Sequence, residues 1–109
     1  MLQNKAGKFV GPSAVTGAAA LNGIKLDANL AGEDPNPAGL NAYPIATLTW
    51  VLAYKSGYAS PAQAQAVRDA ITYALSSKAQ SIADDLGYVP LAGSILNKAR
   101  LRVSSIGLN

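Results

Sequence analysis

The second half of the chain carries apolar residues at the spacing of an α-helix. Ser60, Pro61 and Gln63 come first, and they supply an N-cap, a residue suited to the first helical position and a capping-box partner. One apolar stripe then follows the helical period: Val67, Ala70, Ile71, Ala74 and Leu75. The pattern predicts an amphipathic helix that packs by one face.

Two further helices are predicted after this one. The first runs over about residues 78–86 and ends at Gly87, which suits the left-handed position after a helix. The last runs over about residues 94–103. Four of its residues are expected to form the buried face: Ile95, Leu96, Ala99 and Val103.

The first part of the chain predicts a short strand, one helix and a long loop. Residues 8–10 are expected to form the strand, and Pro12 or Ser13 then opens a helix that ends at "NG", residues 22–23. Residues 26–41 are rich in Asp, Asn, Pro and Gly, which is typical of a surface loop.

The stretch "NAYPIATLTWVLAYKSG" is the most hydrophobic of the chain. Tyr43, Pro44 and Ile45 predict an extended entry, because proline biases the residue before it toward β geometry. Residues 48–54 predict the strand proper, with the following alternation: Leu48, Trp50, Leu52 and Tyr54 on one face, and Thr47, Thr49, Val51 and Ala53 on the other. Both faces are apolar or β-branched, so we expect a central strand covered on both sides.

Composition limits the size of the core. Half of the 109 residues are hydrophobic and 14% are charged, which excludes a disordered composition. Much of the apolar content is Ala, and the large side chains include one Trp, one Phe and one Met. The core is therefore expected to be thin, which favours a chain that packs against something else.

Charge and hydropathy do not indicate nucleic acid or a membrane span as partners. The net charge is +3, and the basic residues are scattered except for Lys98, Arg100 and Arg102. Three such charges are typical of a helix end that is favourably placed in the helix dipole. No apolar run approaches the ~18 residues of a membrane helix, and we expect no signal peptide within this chain.

Catalytic and metal chemistry finds little support. The chain has no His and no Cys, which excludes imidazole and thiolate ligands, Ser-His-Asp triads and cysteine nucleophiles. The carboxylate pairs Asp84–Asp85 and Glu33–Asp34 could hold a cation, but a solvated surface explains them better. We therefore predict no catalytic residue, no metal site and no cofactor.

Two other groups have a functional and a structural explanation. Four residues gather at the expected start of the first helix, where an anion could bind: Gly11, Ser13, Thr16 and Gly17. Ordinary N-capping explains the same residues, and the phosphate-binding glycine motifs are absent. Trp50 and Tyr54 could form a stacking platform, but their alternate spacing favours a place in the core.

The order of these segments resembles a known family. "LQNKAGKFVGPS", an Ala-rich helix, "AYPIATLTWVLAYK", a helix, "LGYVPL" and a terminal helix are similar to the C-terminal third of the periplasmic phosphate-binding proteins, most of all the cyanobacterial members. These proteins are the soluble receptors of phosphate ABC transporters. The resemblance covers residues 2–103.

The resemblance implies a fold class: α/β, a partial type II periplasmic-binding-protein (Venus-flytrap) fold with helices packed on a small mixed sheet. Residues 1–42 would form the last part of the second lobe together with a surface loop. Residues 43–109 would form the crossover and complete the first lobe, in a single compact unit. The resemblance also implies a periplasmic location, an ABC transporter permease as partner, and phosphate as ligand of the intact protein alone.

The resemblance carries over no phosphate ligand, because the family's contacts lie upstream of the region matched. "VTG" at 15–17 aligns with a different helix. The chain also departs from the family at "LAGS", where a Pro-Asp pair commonly caps the last helix, so we expect that helix to lack a cap.

Two interpretations follow. The chain is a fragment of a phosphate receptor, or it is a stand-alone structural or self-associating module derived from that fold. In either case an isolated strand at residues 48–54 would have open edges. We therefore expect a homo-oligomer or a complementing N-terminal part as partner.

Overall fold

The computed structural model describes residues 1–108 as a small mixed α/β domain with four helices and a two-stranded sheet. The elements follow one another in this order: β1 (Leu2–Gln3), β2 (Phe9–Val10), α1 (Ala14–Leu21), α2 (Pro61–Ala74), α3 (Ser77–Asp85) and α4 (Gly93–Ser104). The long segment between α1 and α2 contains no helix or strand. The four predicted helices are confirmed within one or two residues at each stated end.

The sheet is an antiparallel hairpin in which Leu2 pairs with Val10 and Gln3 with Phe9. The strand predicted at residues 8–10 is confirmed as β2, whereas β1 had no signal in the sequence. Gly7 has a φ of +81° in the turn, a conformation that glycine adopts without strain. The sheet is therefore antiparallel and small, and it lies at the start of the chain.

Asn4 connects this hairpin to the loop before the apolar stretch. Its side-chain Nδ2 donates to the carbonyl oxygens of Leu40 at 2.9 Å and Ala42 at 3.1 Å. Its Oδ1 accepts from the backbone N–H groups of Ala6 and Lys8. Asn4 is 5% exposed, so these bonds satisfy a buried amide that would otherwise be costly.

The helices α1 and α2 begin as their sequences predict. Ser13 caps α1: its hydroxyl accepts from Thr16 N–H, while Thr16 Oγ1 accepts from Ser13 N–H, which completes a capping box. Ser60 caps α2 in the same manner by accepting from Gln63 N–H. The Gln63 side chain accepts from Ala59 N–H, one residue earlier than a standard capping box.

The C-terminus of α3 is capped, whereas the N-terminus of α4 has no side-chain cap. Tyr88 N–H donates to Ala83 O and Gly87 N–H to Asp84 O, the two bonds of a Schellman motif after α3. Gly87 has the positive φ that this motif requires, at +83°. Ala92 occupies the N-cap of α4 and forms no side-chain cap bond, so the expected loss of that cap is confirmed.

The core consists of two small clusters. The first contains Leu21, Ile24 and Ile95, with Leu48 and Val89 packed against it. The second contains Leu75, Val103 and Ile106, with partly buried neighbours from α2, α4 and the connecting segments. Every expected residue of the α4 face is buried or partly buried, and Ile95 and Val103 are the most buried of them.

The domain exposes more surface than a compact chain of its mass. Its accessible surface is 7329 Å², whereas a folded monomer of 11.1 kDa has about 5,700 Å². Its radius of gyration is 15.9 Å, against about 13 Å for a compact domain of this length. The prediction of a thin core agrees with these values.

Two predictions for the apolar stretch are wrong. Residues 48–54 form no sheet, because the described chain places no strand beside them. Ile45 has a φ of +71° in a turn after Pro44, so the entry is not extended throughout. A residue with positive φ after proline is the arrangement of a type II turn, which usually takes glycine or asparagine there.

Candidate functional site

Residues 46–53 form a bridge between two anchored ends. At one end, Tyr43 N–H donates to Thr16 O at 3.0 Å and Ile45 N–H to Pro35 O at 2.9 Å. At the other end, Gly107 N–H donates to Lys55 O at 2.7 Å. Between these anchors the backbone of residues 46–53 makes no backbone hydrogen bond to any described residue. We call these eight residues the bridge segment.

The bridge segment and Tyr54 expose large apolar side chains. Leu52 is 96% exposed, Val51 is 74% exposed and Tyr54 is 81% exposed. Leu48 packs partly against the first core cluster, whereas Trp50 is 44% exposed and its Nε1 donates to Leu30 O at 2.8 Å. The expectation that Trp50 and Tyr54 lie in the core is therefore wrong. The segment combines a strand-forming sequence with the exposure of an unfinished interface.

A cleft of about 460 Å³ lies between the bridge segment and the helices. Residues 48–53 line one side, and the other side includes Leu75 of α2 together with Ile95 and Val103 of α4. Its volume falls within the usual range for small-molecule pockets, roughly 300–1,000 Å³. The residues that line it are mostly apolar, so its polar groups decide whether a ligand can be oriented there.

Two of the polar side chains at the cleft, Gln80 and Arg102, have partners within the protein. Gln80 donates to Ala74 O at 2.8 Å and accepts from Leu91 N–H at 2.7 Å, so both ends of its amide are occupied. Arg102 donates to Asn29 Oδ1 at 3.3 Å. Among residues 1–108 no buried side-chain nitrogen or oxygen lacks a partner. The cleft therefore has the character of an incomplete apolar core.

At the start of α1 the structural explanation is the correct one. Thr16 Oγ1 donates to Gly11 O at 2.7 Å in addition to its capping bonds, so the hydroxyls that could face an anion are used locally. Gly17 is buried, and a Cβ on it would lie 2.5 Å from Val89 Cγ2. The glycine of "VTG" thus permits close packing of α1 on the connection before α4.

The carboxylates are spread over turns and exposed surfaces. Asp27 Oδ1 accepts from Asn29 N–H and Ala31 N–H, and Asp34 Oδ1 accepts from Asn36 N–H, as in Asx turns. Asp84 and Asp85 are exposed at the end of α3. In the part of the chain that the structure describes, no three acidic, His or Cys side chains gather as metal ligands would.

Two of the three clustered basic residues near the C-terminus tie parts of the fold together. Arg100 donates through Nη2 to Leu75 O at 2.7 Å and caps the end of α2. Arg102 lies in the last turn of α4, where its charge is favourable for the helix dipole, as predicted. Lys98 lies on the exposed side of α4. The guanidinium groups therefore do not form a free basic stripe.

Comparisons with known proteins add no relative: no protein-family model matches the chain, and a search of curated proteins finds no match. None of the helices described within residues 1–108 has both the length and the apolar character needed to cross a membrane.

Sequence reasoning identified the bridge segment but missed what holds it. The anchors use backbone groups of Lys55 and Gly107, which carry no sequence pattern. Asn4 also gave no signal, since an isolated Asn in a Gly- and Lys-rich stretch is usually a turn residue. Asn4 lies between β1 and β2, so its role depends on a hairpin that the sequence did not predict.

Proposed function

We propose that the chain is the C-terminal portion of a periplasmic phosphate-binding protein, the soluble receptor of a phosphate ABC transporter. The observation that carries the proposal is the bridge segment, whose ends are anchored and whose backbone makes no backbone–backbone hydrogen bond within residues 1–108. In a type II binding-protein fold, a segment of this kind completes the sheet of the first lobe with strands from earlier in the chain.

The excess surface supports this proposal. The domain exposes roughly 1,600 Å² more than a compact chain of its mass. Leu52 and Val51 contribute to this excess, and both belong to a sequence expected to be covered on two faces. A sheet placed beside the bridge segment would bury these side chains and close the cleft.

The groups that could face an anion at the start of α1 and on α4 have partners within the chain, which fits the role proposed for this portion. The hydroxyls at the start of α1 are satisfied locally, and the guanidinium of Arg100 is bound to Leu75 O. Phosphate would then be held by residues upstream of the region matched, and this chain would supply the scaffold. A periplasmic location and contact with a permease belong to the same proposal.

A chimeric receptor tests the proposal. The chain replaces the corresponding C-terminal third of a phosphate-binding protein, and phosphate is titrated by calorimetry. We expect the chimera to fold and to bind phosphate, whereas the isolated chain gives no binding heat. Sheet completion restores the shape of the two lobes, so the binding residues of the parent protein regain their positions.

The matched control is Leu52→Lys, because Leu52 is 96% exposed in this chain. The substitution should leave the helical content of the isolated chain unchanged, yet abolish phosphate binding by the chimera, where residue 52 becomes buried. A folded chimera without phosphate binding would contradict the proposal, as would an insoluble one beside a folded parent. Micromolar phosphate binding by the isolated chain would also contradict it.

A stand-alone module that associates with itself is the second candidate. It is favoured by the same exposed segment, since unpaired strand edges recruit further strands. The chimera separates the two candidates. Phosphate binding by the chimera favours a receptor portion, whereas a folded chimera that does not bind phosphate favours a module with a role of its own.

A further inference from the structure

We propose that the 109-residue chain forms a two-fold dimer in which residues 47–55 of two copies pair as antiparallel strands about Val51. The inference does not depend on the receptor proposal, because it rests on the backbone, side chains and charges of this segment alone.

The backbone decides what kind of partner fits. Residues 46–53 make no backbone–backbone hydrogen bond within the described chain, so their N–H groups and most of their C=O groups remain available in a row. Leu48 O accepts a 3.4 Å bond from Thr47 Oγ1, and Tyr54 O and Lys55 O each accept one bond, from Tyr58 Oη and Gly107 N–H. Each of these carbonyls retains a second lone pair for a neighbouring strand. A neighbouring strand satisfies such a row, whereas a helix or a small apolar ligand leaves the groups unpaired. The occupant is therefore extended polypeptide.

The charges indicate that a second copy can serve as this polypeptide. No charged residue lies between Asp34 and Lys55, so residues 47–54 carry no charge that repels a second copy. A parallel pair in register would place Lys55 directly beside Lys55. An antiparallel pair separates the two Lys55 side chains to opposite ends, where each faces the neutral Thr47.

The register about Val51 keeps both faces matched. On one face Trp50 lies opposite Leu52, and on the other Val51 lies opposite its own copy. Aromatic and β-branched cross-strand neighbours of this kind stabilise antiparallel sheets by roughly 0.2–1 kcal/mol each. The register also preserves the alternation of the segment, because every residue pairs with a position of the same parity.

The chain as a whole has surface to spare for an interface. A stable interface buries about 800 Å² on each partner, and the accessible surface of the whole chain, of which this segment is one part, exceeds that of a compact chain by roughly 1,600 Å². Leu52, Val51 and Tyr54 are among the most exposed large apolar residues and lie together on the paired segment. Pairing therefore covers the part of the molecule that is least suited to water.

Sedimentation equilibrium of the 109-residue chain tests the dimer. We expect the mass of two chains at about 100 µM and dissociation on dilution. Val51→Lys should weaken association at least 100-fold, because it places two Lys side chains face to face. Val15→Lys is the matched control: Val15 is 75% exposed on α1 and does not line the cleft, and its substitution should leave the dimer intact.

A charge-pair experiment tests the register. Val51→Lys and Val51→Glu should each be monomeric, and a mixture of the two should recover a dimer of mixed composition, because only residue 51 faces residue 51. Far-UV circular dichroism confirms that each variant is folded. A monomer at 100 µM, a dimer insensitive to Val51→Lys, a mass above two chains, or no recovery in the mixture would each overturn the proposal.

Discussion

The indole Nε1 of Trp50 donates to the carbonyl oxygen of Leu30 at 2.8 Å. Leu30 is held in a left-handed conformation, with a φ of +64°, inside a turn that Asp27 closes through two backbone N–H groups. The loop thus presents a carbonyl to the middle of the bridge segment. Trp50 is the one Trp of the chain, so its fluorescence reports directly on the segment.

The bond explains why the bridge segment lies over the cleft although its backbone is unpaired. Leu48 reaches the first core cluster, and Trp50 reaches the 27–31 turn. Beyond Trp50 the side chains of Val51 and Leu52 are exposed. One part of the segment is therefore fixed to the domain, and the next part is presented to solvent.

Replacement of Asn4 by Ala should destabilise the domain by about 1–3 kcal/mol. The substitution leaves the carbonyls of Leu40 and Ala42 and two backbone N–H groups near the hairpin without their partner. Urea unfolding at a concentration where the chain is monomeric measures the loss. Asn41→Ala is the control, because Asn41 is exposed, and it should change stability by less than about 0.5 kcal/mol. Equal effects of the two substitutions would show that the Asn4 bonds contribute nothing.

Gly17→Ala should destabilise the domain although Ala favours helices by about 1 kcal/mol over Gly. The new Cβ would lie 2.5 Å from Val89 Cγ2, and such overpacking costs roughly 1–3 kcal/mol.

A double-mutant cycle isolates this contact. In a Val89→Ala background the clash disappears, so Gly17→Ala should become neutral or stabilising when the free energy of unfolding is compared. The packing of α1 on Val89 would be refuted by a Gly17→Ala substitution that costs the same in both backgrounds.

Ile45→Asn should stabilise the domain by roughly 0.5–1 kcal/mol. Ile45 is β-branched, 71% exposed and held at a φ of +71°, a region that costs an ordinary residue about 1–2 kcal/mol and that Asn tolerates. Leu40→Asn provides the control, since Leu40 is also exposed but lacks a positive φ, and it should bring no gain. Thermal unfolding followed by circular dichroism compares the two. A loss of stability in Ile45→Asn would contradict strain at this turn.

Ala92→Ser should stabilise α4 by about 1 kcal/mol. Ala92 has the extended backbone of an N-cap but offers no acceptor to the first turn, and a serine hydroxyl supplies one. Ala66→Ser serves as the control, because Ala66 lies exposed within α2, where serine is slightly unfavourable. The urea midpoints of unfolding of the two variants are compared. An Ala92→Ser midpoint no higher than that of Ala66→Ser would show that the absence of a cap at residue 92 does not lower stability.

The helices could be predicted because their signals are local. Ser13 and Ser60 each cap a helix that the following residues favour, and Gly87 ends one by adopting a conformation that suits glycine. Local signals of this kind could not decide whether residues 48–54 form a strand. A strand depends on its neighbours, and β-propensity alone does not supply them.

The sequence predicts the composition of the candidate site, but it does not predict how exposed the site is to solvent. The apolar and uncharged character of the bridge segment is visible in the sequence. Its exposure is not, because exposure depends on which other segments are present. The cleft could not be predicted, because it depends on the positions of α2 and α4.

The central claim is that residues 47–55, which form no sheet within this chain, pair as a strand with neighbours from outside it. Amide hydrogen exchange of this segment tests it most directly, measured in the dilute isolated chain and in the phosphate-receptor chimera. We predict exchange near the intrinsic rate in the dilute chain and at least 100-fold slower exchange in the chimera. Strong protection in the dilute monomer, or fast exchange in a folded chimera that binds phosphate, would contradict the account.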